Sequence, residues 1–166
     1  MERLPYIDEI SITAPADLDA TWSALVAAMG ATSRSPIAHY ARLVGADPVA
    51  ARGDWDGRRL RPGATVPGFA VDDAQAPHRL RLTGRHRFAR YALTFRLEPA
   101  SDPAVTPATP ATTAAPATRI TAETRAAFPG VLGRAYRALV ITSGGHRIAV
   151  HRMLRGVRGR AATLGS

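Results

Sequence analysis

"VLGRAYRALVITSGGHRIAVHRMLRGVR", residues 131–158, carries the most continuous helical pattern of the chain. Side chains that recur in it at alternating spacings of four and three share one stripe of a helix. The phase continues across Gly144 and Gly145, so the pattern predicts one uninterrupted helix about 40 Å long at 1.5 Å per residue. The two glycines predict a bend in this helix or a close approach of another backbone. The stripe comprises Leu132, Tyr136, Leu139, Ser143, His146, Val150, Met153 and Val157.

The middle of this stripe is polar, because Tyr136, Ser143 and His146 lie between apolar ends. A buried phenol, hydroxyl or imidazole needs a hydrogen-bond partner. A cavity beneath the helix that contains a ligand or water would explain these residues. The alternative is that strand backbone satisfies them, that they bond to one another, or that they emerge at the edge of the stripe. The pattern leaves both interpretations open.

Upstream of this segment, three stretches alternate between apolar and polar or charged residues: HRLRLTG at 78–84, YALTFRLEP at 91–99 and TRITAETRAAF at 118–128. Such alternation is typical of an antiparallel sheet that is wet on one face and covered on the other. Glu98 and Glu123 share the charged face with arginines, which predicts cross-strand ion pairs. A strand at 6–13, with Ile10 and Ile12 on one face, and one or two short helices precede these stretches.

The tract PASDPAVTPATPATTAAPAT, residues 99–118, separates the last two strands. It is rich in proline and lacks large apolar residues, which predicts a flexible hairpin loop. An insertion at the hairpin tip is favoured over a flap that covers a pocket mouth. The length of the chain fits a single domain over residues 1–160 with a tail at 161–166.

The composition excludes several kinds of site. The chain has no cysteine, which excludes thiol catalysis, cysteine-based zinc sites and disulfides. The N-terminal sequence MERLPYIDEI is charged where a signal peptide needs an apolar stretch, and no apolar run approaches the ~20 residues that span a bilayer. We therefore expect a cytoplasmic protein without a membrane span. The formal net charge of +9 suggests a nucleic-acid partner. The chain has arginine but no lysine, however, and its arginines are dispersed along the sequence. This favours a bias in codon usage over a nucleic-acid surface.

Three stretches and the order of elements resemble the START and birch-pollen-allergen-like superfamily, also called SRPBCC or polyketide cyclase/dehydrase. The stretches are LRPGATVPGFAV at 60–71, RYALTFRLEP at 90–99 and FPGVLGRAYRALVITSGGHRIAVHRML at 128–154. The closest resemblance is to a bacterial branch. It implies an α+β helix-grip fold, in which a curved antiparallel sheet wraps around a long C-terminal helix, with one or two short helices after the first strand.

The resemblance also implies a hydrophobic cavity between sheet and helix. Superfamily members use this cavity for lipids, polyketides, hormones and other apolar molecules, and some cyclise or dehydrate polyketides. In the bacterial branch the G-R-x-Y step is commonly followed by Trp, and the segment before the histidine commonly contains Pro-Phe. Here Arg137 and Gly144-Gly145 occupy those places, which implies a larger or differently shaped pocket near His146.

His146 is the best candidate for a general acid or base, because imidazole titrates near neutral pH and the helical phase places this one on the buried stripe. Tyr136 and Tyr91 are candidate hydrogen-bond donors to a carbonyl or phenolate. His86 has the inward parity of Leu80 and Leu82 if that strand continues, but lies outside the cavity if Gly84 starts a turn. No carboxylate is predicted near these groups. The chain shows no metal-ligand spacing, phosphate-binding loop or nucleophile elbow, so we predict neither a metal nor a cofactor.

Three functions from different classes follow. The leading hypothesis is a protein that binds a small hydrophobic or amphipathic, lipid- or polyketide-like molecule. The second is a cyclase/aromatase-type enzyme that uses His146 with Tyr136 or Tyr91, which the lack of an orienting carboxylate disfavours. The third is an arginine-rich surface that binds nucleic acid or an acidic partner. A homodimer through an edge strand or the outer face is left open. In the leading hypothesis the cavity wall comprises Trp22, Phe69, Leu82, Tyr91, Leu93, Phe95, Phe128, Tyr136, Leu139, Ser143, His146 and Val150.

Overall fold

The computed structural model of the chain describes residues 4–32, 36–57, 60–100 and 115–165. Its elements follow the predicted order of a strand, two helices, further strands and a C-terminal helical segment. The strands are β1 (Tyr6–Ala14), β2 (Thr65–Val66), β3 (Phe69–Gln75), β4 (Arg79–His86), β5 (Ala89–Pro99) and β6 (Thr118–Ala127). The helices are α1 (Leu18–Ala31), α2 (Pro36–Leu43), α3 (Gly130–Arg137) and α4 (Gly145–Leu164), and a π-helical turn, Ala138–Thr142, joins α3 to α4.

The six strands form one antiparallel sheet in the order β1-β6-β5-β4-β3-β2. The register places apolar residues opposite one another on the inner face, as in the pairs Leu82–Leu93 and Phe95–Ala122. The predicted α+β class, with a curved sheet and a long C-terminal helix, is confirmed. β5 and β6 pair up to Pro99 and Thr118 at the two ends of the proline-rich tract. Residues 101–114 of that tract, to which the predicted flexibility applies, lie outside the described residues.

α1 begins after β1 because Asp17 caps it: the Asp17 carboxylate accepts a hydrogen bond of 2.7 Å from the backbone N–H of Ala20. The helix packs against α4 and β5. Its buried residues are Thr21, Trp22, Ala24, Leu25, Val26 and Met29.

The main core lies between α1, the later turns of α4 and one half of the sheet. α4 contributes one residue per turn, and the sheet contributes large side chains from β4, β5 and β6. These side chains are almost completely buried against one another, as in a close-packed protein interior. The fully buried members include Leu80, Leu82, Phe95, Leu97, Ile120, Leu154, Val157 and Ala161.

The prediction of one uninterrupted helix over residues 131–158 is wrong. The chain passes through the π-helical turn and then through Gly144, whose φ of 77° is left-handed, before α4 starts at Gly145. A π turn holds more residues than an α turn, and a left-handed residue changes the direction of the chain, so the phase is reset. Leu139 is therefore 71% exposed, and the exposed Ser143 hydroxyl donates to the Leu139 carbonyl. α4 continues beyond the predicted end, to Leu164.

The predicted ion pairs on the outer face are present at Glu123. Its carboxylate accepts hydrogen bonds from Arg96 on β5 and Arg125 on β6, and Arg96 also lies 3.4 Å from Glu9 on β1. Other arginine–carboxylate pairs are Arg79–Asp73, Arg81–Asp72 and Arg85–Asp47. Among the described residues, no helix is long and apolar enough to cross a membrane.

Candidate ligand cavity

A cavity of about 320 Å³ lies in the half of the molecule that the core does not fill. Its floor is the inner face of β4, β5 and β6, and its roof is α3, the π turn and the first turn of α4. Most of the wall is apolar, with polar side chains at a few places. The wall comprises Phe69, His86, Ala89, Tyr91, Ala92, Leu93, Thr124, Ala126, Phe128, Tyr136, Val140, Ile141, Gly145, His146 and Ala149.

Aromatic rings meet in this wall. The ring of His86 packs edge-on against Tyr136 at a centroid distance of 4.9 Å and lies 5.5 Å from Tyr91. Phe69 contacts the other side of Tyr91 edge-on at 5.2 Å, and Phe88 stacks on Tyr136 at 5.4 Å. Edge-on and offset contacts of this kind hold rings in fixed orientations. The cavity therefore presents a rigid aromatic surface.

Gly84 makes the position of Tyr91 possible. It lies in β4 directly opposite Tyr91, and a Cβ on residue 84 would lie 2.0 Å from the Gly68 carbonyl oxygen and 2.7 Å from the Tyr91 ring. Only glycine allows this close approach. The Tyr91 hydroxyl then donates to the Gly68 carbonyl at 2.8 Å. Of the two predicted tyrosine donors, Tyr91 therefore already donates its hydroxyl proton to the backbone.

Of the two positions that the sequence left open for His86, the structure shows the inward one. Gly84 does not start a turn: β4 continues to His86, which has the same parity as Leu80 and Leu82 and therefore faces inwards. The Nδ1 atom of His86 accepts a hydrogen bond of 3.1 Å from the backbone N–H of Phe88. Burial lowers the pKa of His86 below its usual value. Both observations favour a neutral ring with its proton on Nε2.

His146 lies in the first turn of α4 and reaches the sheet. Its Nε2 atom is 3.0 Å from the Thr124 hydroxyl on β6 and 3.4 Å from Oδ1 of Asp8 on β1. The side chains of His146 and Asp8 are 21% and 16% exposed. Asp8 and Thr124 are cross-strand neighbours, which explains why both reach the same imidazole nitrogen.

The prediction that no carboxylate lies near His146 is therefore wrong. The signal for Asp8 was available in the alternation of the first strand, because Asp8 has the same parity as Ile10 and Ile12 and must face inwards with them. Ala14 on the same parity is fully buried. A carboxylate on the covered face of a strand is the unusual residue that sequence reasoning should have singled out.

The structure places half of the predicted wall residues in the cavity: Phe69, Tyr91, Leu93, Phe128, Tyr136 and His146. It corrects the other positions. Trp22, Leu82, Phe95 and Val150 belong to the filled core, because α1 and α4 close over that half of the sheet. Leu139 and Ser143 face solvent, because the π turn and Gly144 shift the helical phase. Val140 and Ile141 replace them in the roof.

No cluster of three histidine, aspartate or glutamate side chains that could hold a metal ion is found within residues 4–32, 36–57, 60–100 and 115–165. The polar groups of the cavity instead form two separate sites. His86 lies among the aromatic rings, and His146 lies beside Asp8 and Thr124. The cavity can therefore hold an apolar body and contact polar groups at two places.

No family model and no curated protein matches the sequence of the chain. Solved structures do match its backbone. The structure of truncated norcoclaurine synthase from Thalictrum flavum superposes with a TM-score of 0.53 at 10% sequence identity, over 95% of this chain and 96% of that one. The chain therefore has a helix-grip fold, which it shares with that structure.

Two further structures align over most of the helix-grip fold. A conserved protein from Geobacillus kaustophilus matches with a TM-score of 0.48 at 14% identity, over 93% of this chain and 94% of that one. CalU16 from Micromonospora echinospora matches with a TM-score of 0.43 at 17% identity, over 94% of this chain and 83% of that one. The fold rests on the match to norcoclaurine synthase alone, and the chemistry of the cavity must be argued from its own residues.

Proposed function

We propose that the protein binds a small hydrophobic or amphipathic molecule, lipid- or polyketide-like, in the cavity between the sheet and the C-terminal helical segment. The observation that carries this proposal is the contrast between the two halves of the inner sheet face. One half is filled by α1 and α4, whereas the other is lined by apolar side chains around about 320 Å³ of space. Protein interiors rarely leave such a volume without an occupant.

The wall suits a ligand whose affinity comes mainly from apolar burial. Each 100 Å² of apolar ligand surface that enters would contribute about 2.5 kcal/mol before the cost of immobilisation. The aromatic rings of Phe69, Tyr91 and Tyr136 provide most of the rigid contact surface. The two histidines then orient the bound molecule rather than supply the bulk of its affinity.

Native mass spectrometry of the protein purified from its own host, without detergent, tests this proposal. We expect a bound small molecule in the wild type. Ala126 lines the cavity, and we expect Ala126→Leu to lose most of that molecule because the added side chain fills the space. The matched control is Ala127→Leu, one residue along β6 on the opposite face, which should keep it. A wild type with no bound mass that also binds no added naphthalene would contradict the proposal.

A second candidate function is a cyclase/dehydratase-type enzyme, and a specific observation favours it. Asp8 lies beside His146 and supplies the carboxylate that an imidazole base ordinarily needs for orientation. His146 would be the acid or base, with Tyr136 as hydrogen-bond donor, because the Tyr91 hydroxyl already donates to the Gly68 carbonyl. Loss of polyketide turnover in a folded His146→Ala variant would support this function, and unchanged turnover would exclude His146 from it.

The third function, an arginine-rich surface for nucleic acid or an acidic partner, is weakened by the pairing of outer-face arginines with carboxylates. A cytoplasmic location, a homodimer, and a single domain over 1–160 with a tail remain predictions. Binding to DNA that falls steeply with added salt would revive the third function.

A further inference from the structure

The position of Asp8 bears on which nitrogen of His146 carries the proton. Its Oδ1 atom is buried, accepts no hydrogen bond within the described part of the chain, and lies 3.4 Å from Nε2 of His146. If Nε2 carried no proton, its lone pair would face this carboxylate oxygen in a poorly solvated position, and the two would repel each other. If Nε2 carries the proton, it donates to the Thr124 hydroxyl at 3.0 Å and the carboxylate stabilises the N–H dipole.

A proton on Nε2 leaves Nδ1 of His146 as a hydrogen-bond acceptor. No described residue donates to this atom, and His146 forms part of the cavity wall. A neutral imidazole with this tautomer accepts a hydrogen bond at Nδ1. Asp8 itself does not line the cavity, so it acts through the imidazole as a positioning residue.

His86 has the opposite hydrogen-bonding role to His146. Its Nδ1 atom is occupied by the Phe88 N–H at 3.1 Å, so the proton of the neutral ring is on Nε2. The lowered pKa of His86 keeps the ring neutral at pH 7. His86 therefore offers the cavity a hydrogen-bond donor, from a ring that packs edge-on against Tyr136 and at a tilt against Tyr91.

We propose that Asp8, through His146, and His86 together give the cavity one acceptor and one donor, which selects an aromatic or otherwise flat ligand that carries both a hydroxyl and a carbonyl group. The ligand hydroxyl donates to Nδ1 of His146, and the ligand carbonyl accepts from Nε2–H of His86. This inference rests on the proposed binding function and adds the chemical class of the ligand. The apolar wall alone would bind a molecule without either group equally well.

The first test needs no ligand. Long-range proton–nitrogen NMR spectra of histidine-labelled protein report the tautomer of each ring, and His86→Gln and His146→Gln variants assign the signals. We expect the Nε2–H tautomer for both rings in the wild type. Asp8→Ala should abolish this preference in His146 and leave His86 unchanged. Glu9→Ala is the matched control, because Glu9 is the next residue of β1 and lies on the outer face beside Arg96; it should change neither ring.

The second test measures the affinity for three naphthalenes of similar size: 2-ethylnaphthalene without a polar group, 2-naphthol with a donor, and 2-acetylnaphthalene with an acceptor. One ordinary hydrogen bond corresponds to about fivefold in affinity. We expect Asp8→Ala to weaken 2-naphthol about fivefold and to leave 2-acetylnaphthalene unchanged. His86→Phe should weaken 2-acetylnaphthalene by a similar factor. Ala127→Leu, on the opposite face of β6, is the control and should change the affinity for none of the three compounds by more than about twofold.

The outcomes separate this inference from the function on which it rests. If 2-ethylnaphthalene does not bind the wild type, the proposed binding function fails. If it binds, but His146 carries its proton on Nδ1 or Asp8→Ala leaves the affinity for 2-naphthol unchanged, the ligand class is overturned and apolar binding stands. If Asp8→Ala does not fold, the tautomer of His146 in the wild type still tests the inference.

Discussion

Glu123 shows how a single residue of the outer face is held in its charged form. It is only 8% exposed although it lies on the polar side of β6, because Arg96 and Arg125 cover it. Burial raises the pKa of Glu123, but the hydrogen bonds from Arg125 and Arg96 outweigh burial and hold the pKa below the usual value of 4.5. Such a group stabilises the fold above pH 4.5, and its contribution is lost as the pH falls through the lowered pKa.

We expect Glu123→Gln to lower the free energy of unfolding by about 1–2 kcal/mol at pH 7, because two arginines lose a charged acceptor. The difference from wild type should be smaller at pH 3 than at pH 7, because the wild-type carboxyl also becomes neutral as the pH falls through its lowered pKa. Urea unfolding at both pH values measures it. Glu98→Gln, on the exposed end of β5, is the control and should stay within 0.5 kcal/mol of wild type, about the range for surface changes. An equal loss at both pH values would contradict the assignment.

At the scale of elements, strand patterns were more informative than the helical one. Alternation predicted the partners β4, β5 and β6 and the ion pairs of Glu123, since the side-chain period of a strand is fixed by its backbone. The C-terminal stripe was misleading. Its spacing of three and four residues continues in the sequence across the residues that form a π turn and a left-handed glycine, where the helical phase changes. Helical phase depends on every backbone angle between two residues, and sequence does not record those angles.

The polar residues of the site show the same difference. Asp8 could have been predicted from strand parity, and the inward position of His86 was one of the two alternatives, since it follows when β4 continues past Gly84. The meeting of Asp8, Thr124 and His146 could not, because it depends on where α4 starts and how closely it approaches β1 and β6. Similarly, nothing in the apolar pattern distinguished the side chains of the filled core from those of the cavity.

The break before α4 predicts opposite effects at its two glycines. Gly144 has a φ of 77°, which a side chain disfavours, so Gly144→Ala should destabilise the protein by about 1–2 kcal/mol. Gly145 is helical and its added Cβ would meet only ordinary contacts, so Gly145→Ala should be neutral or stabilising by up to about 1 kcal/mol. Thermal unfolding of both variants measures the difference. Equal effects would show that the helix is not broken at Gly144.

At the scale of the whole molecule, one sheet face serves two purposes. Where α1 and α4 cover it, interlocked side chains supply the stability of the fold. Where α3 and the π turn cover it, the roof is separated from the sheet and the space between them is available to a ligand. The π turn and Gly144 are the local features that divide the two regions, because they redirect the chain between α3 and α4.

This division predicts that the same substitution has opposite effects at two positions of one strand. Ala122 and Ala126 lie on the inner face of β6, but Ala122 is enclosed by the core and Ala126 borders the cavity. In ligand-free protein, Ala126→Leu should raise the free energy of unfolding by about 0.5–2 kcal/mol, because the new side chain fills space. Ala122→Leu should lower it by about 1–3 kcal/mol, because no space exists there. Urea unfolding decides the matter: destabilisation of similar size in both variants would mean that the inner face is filled along its whole length.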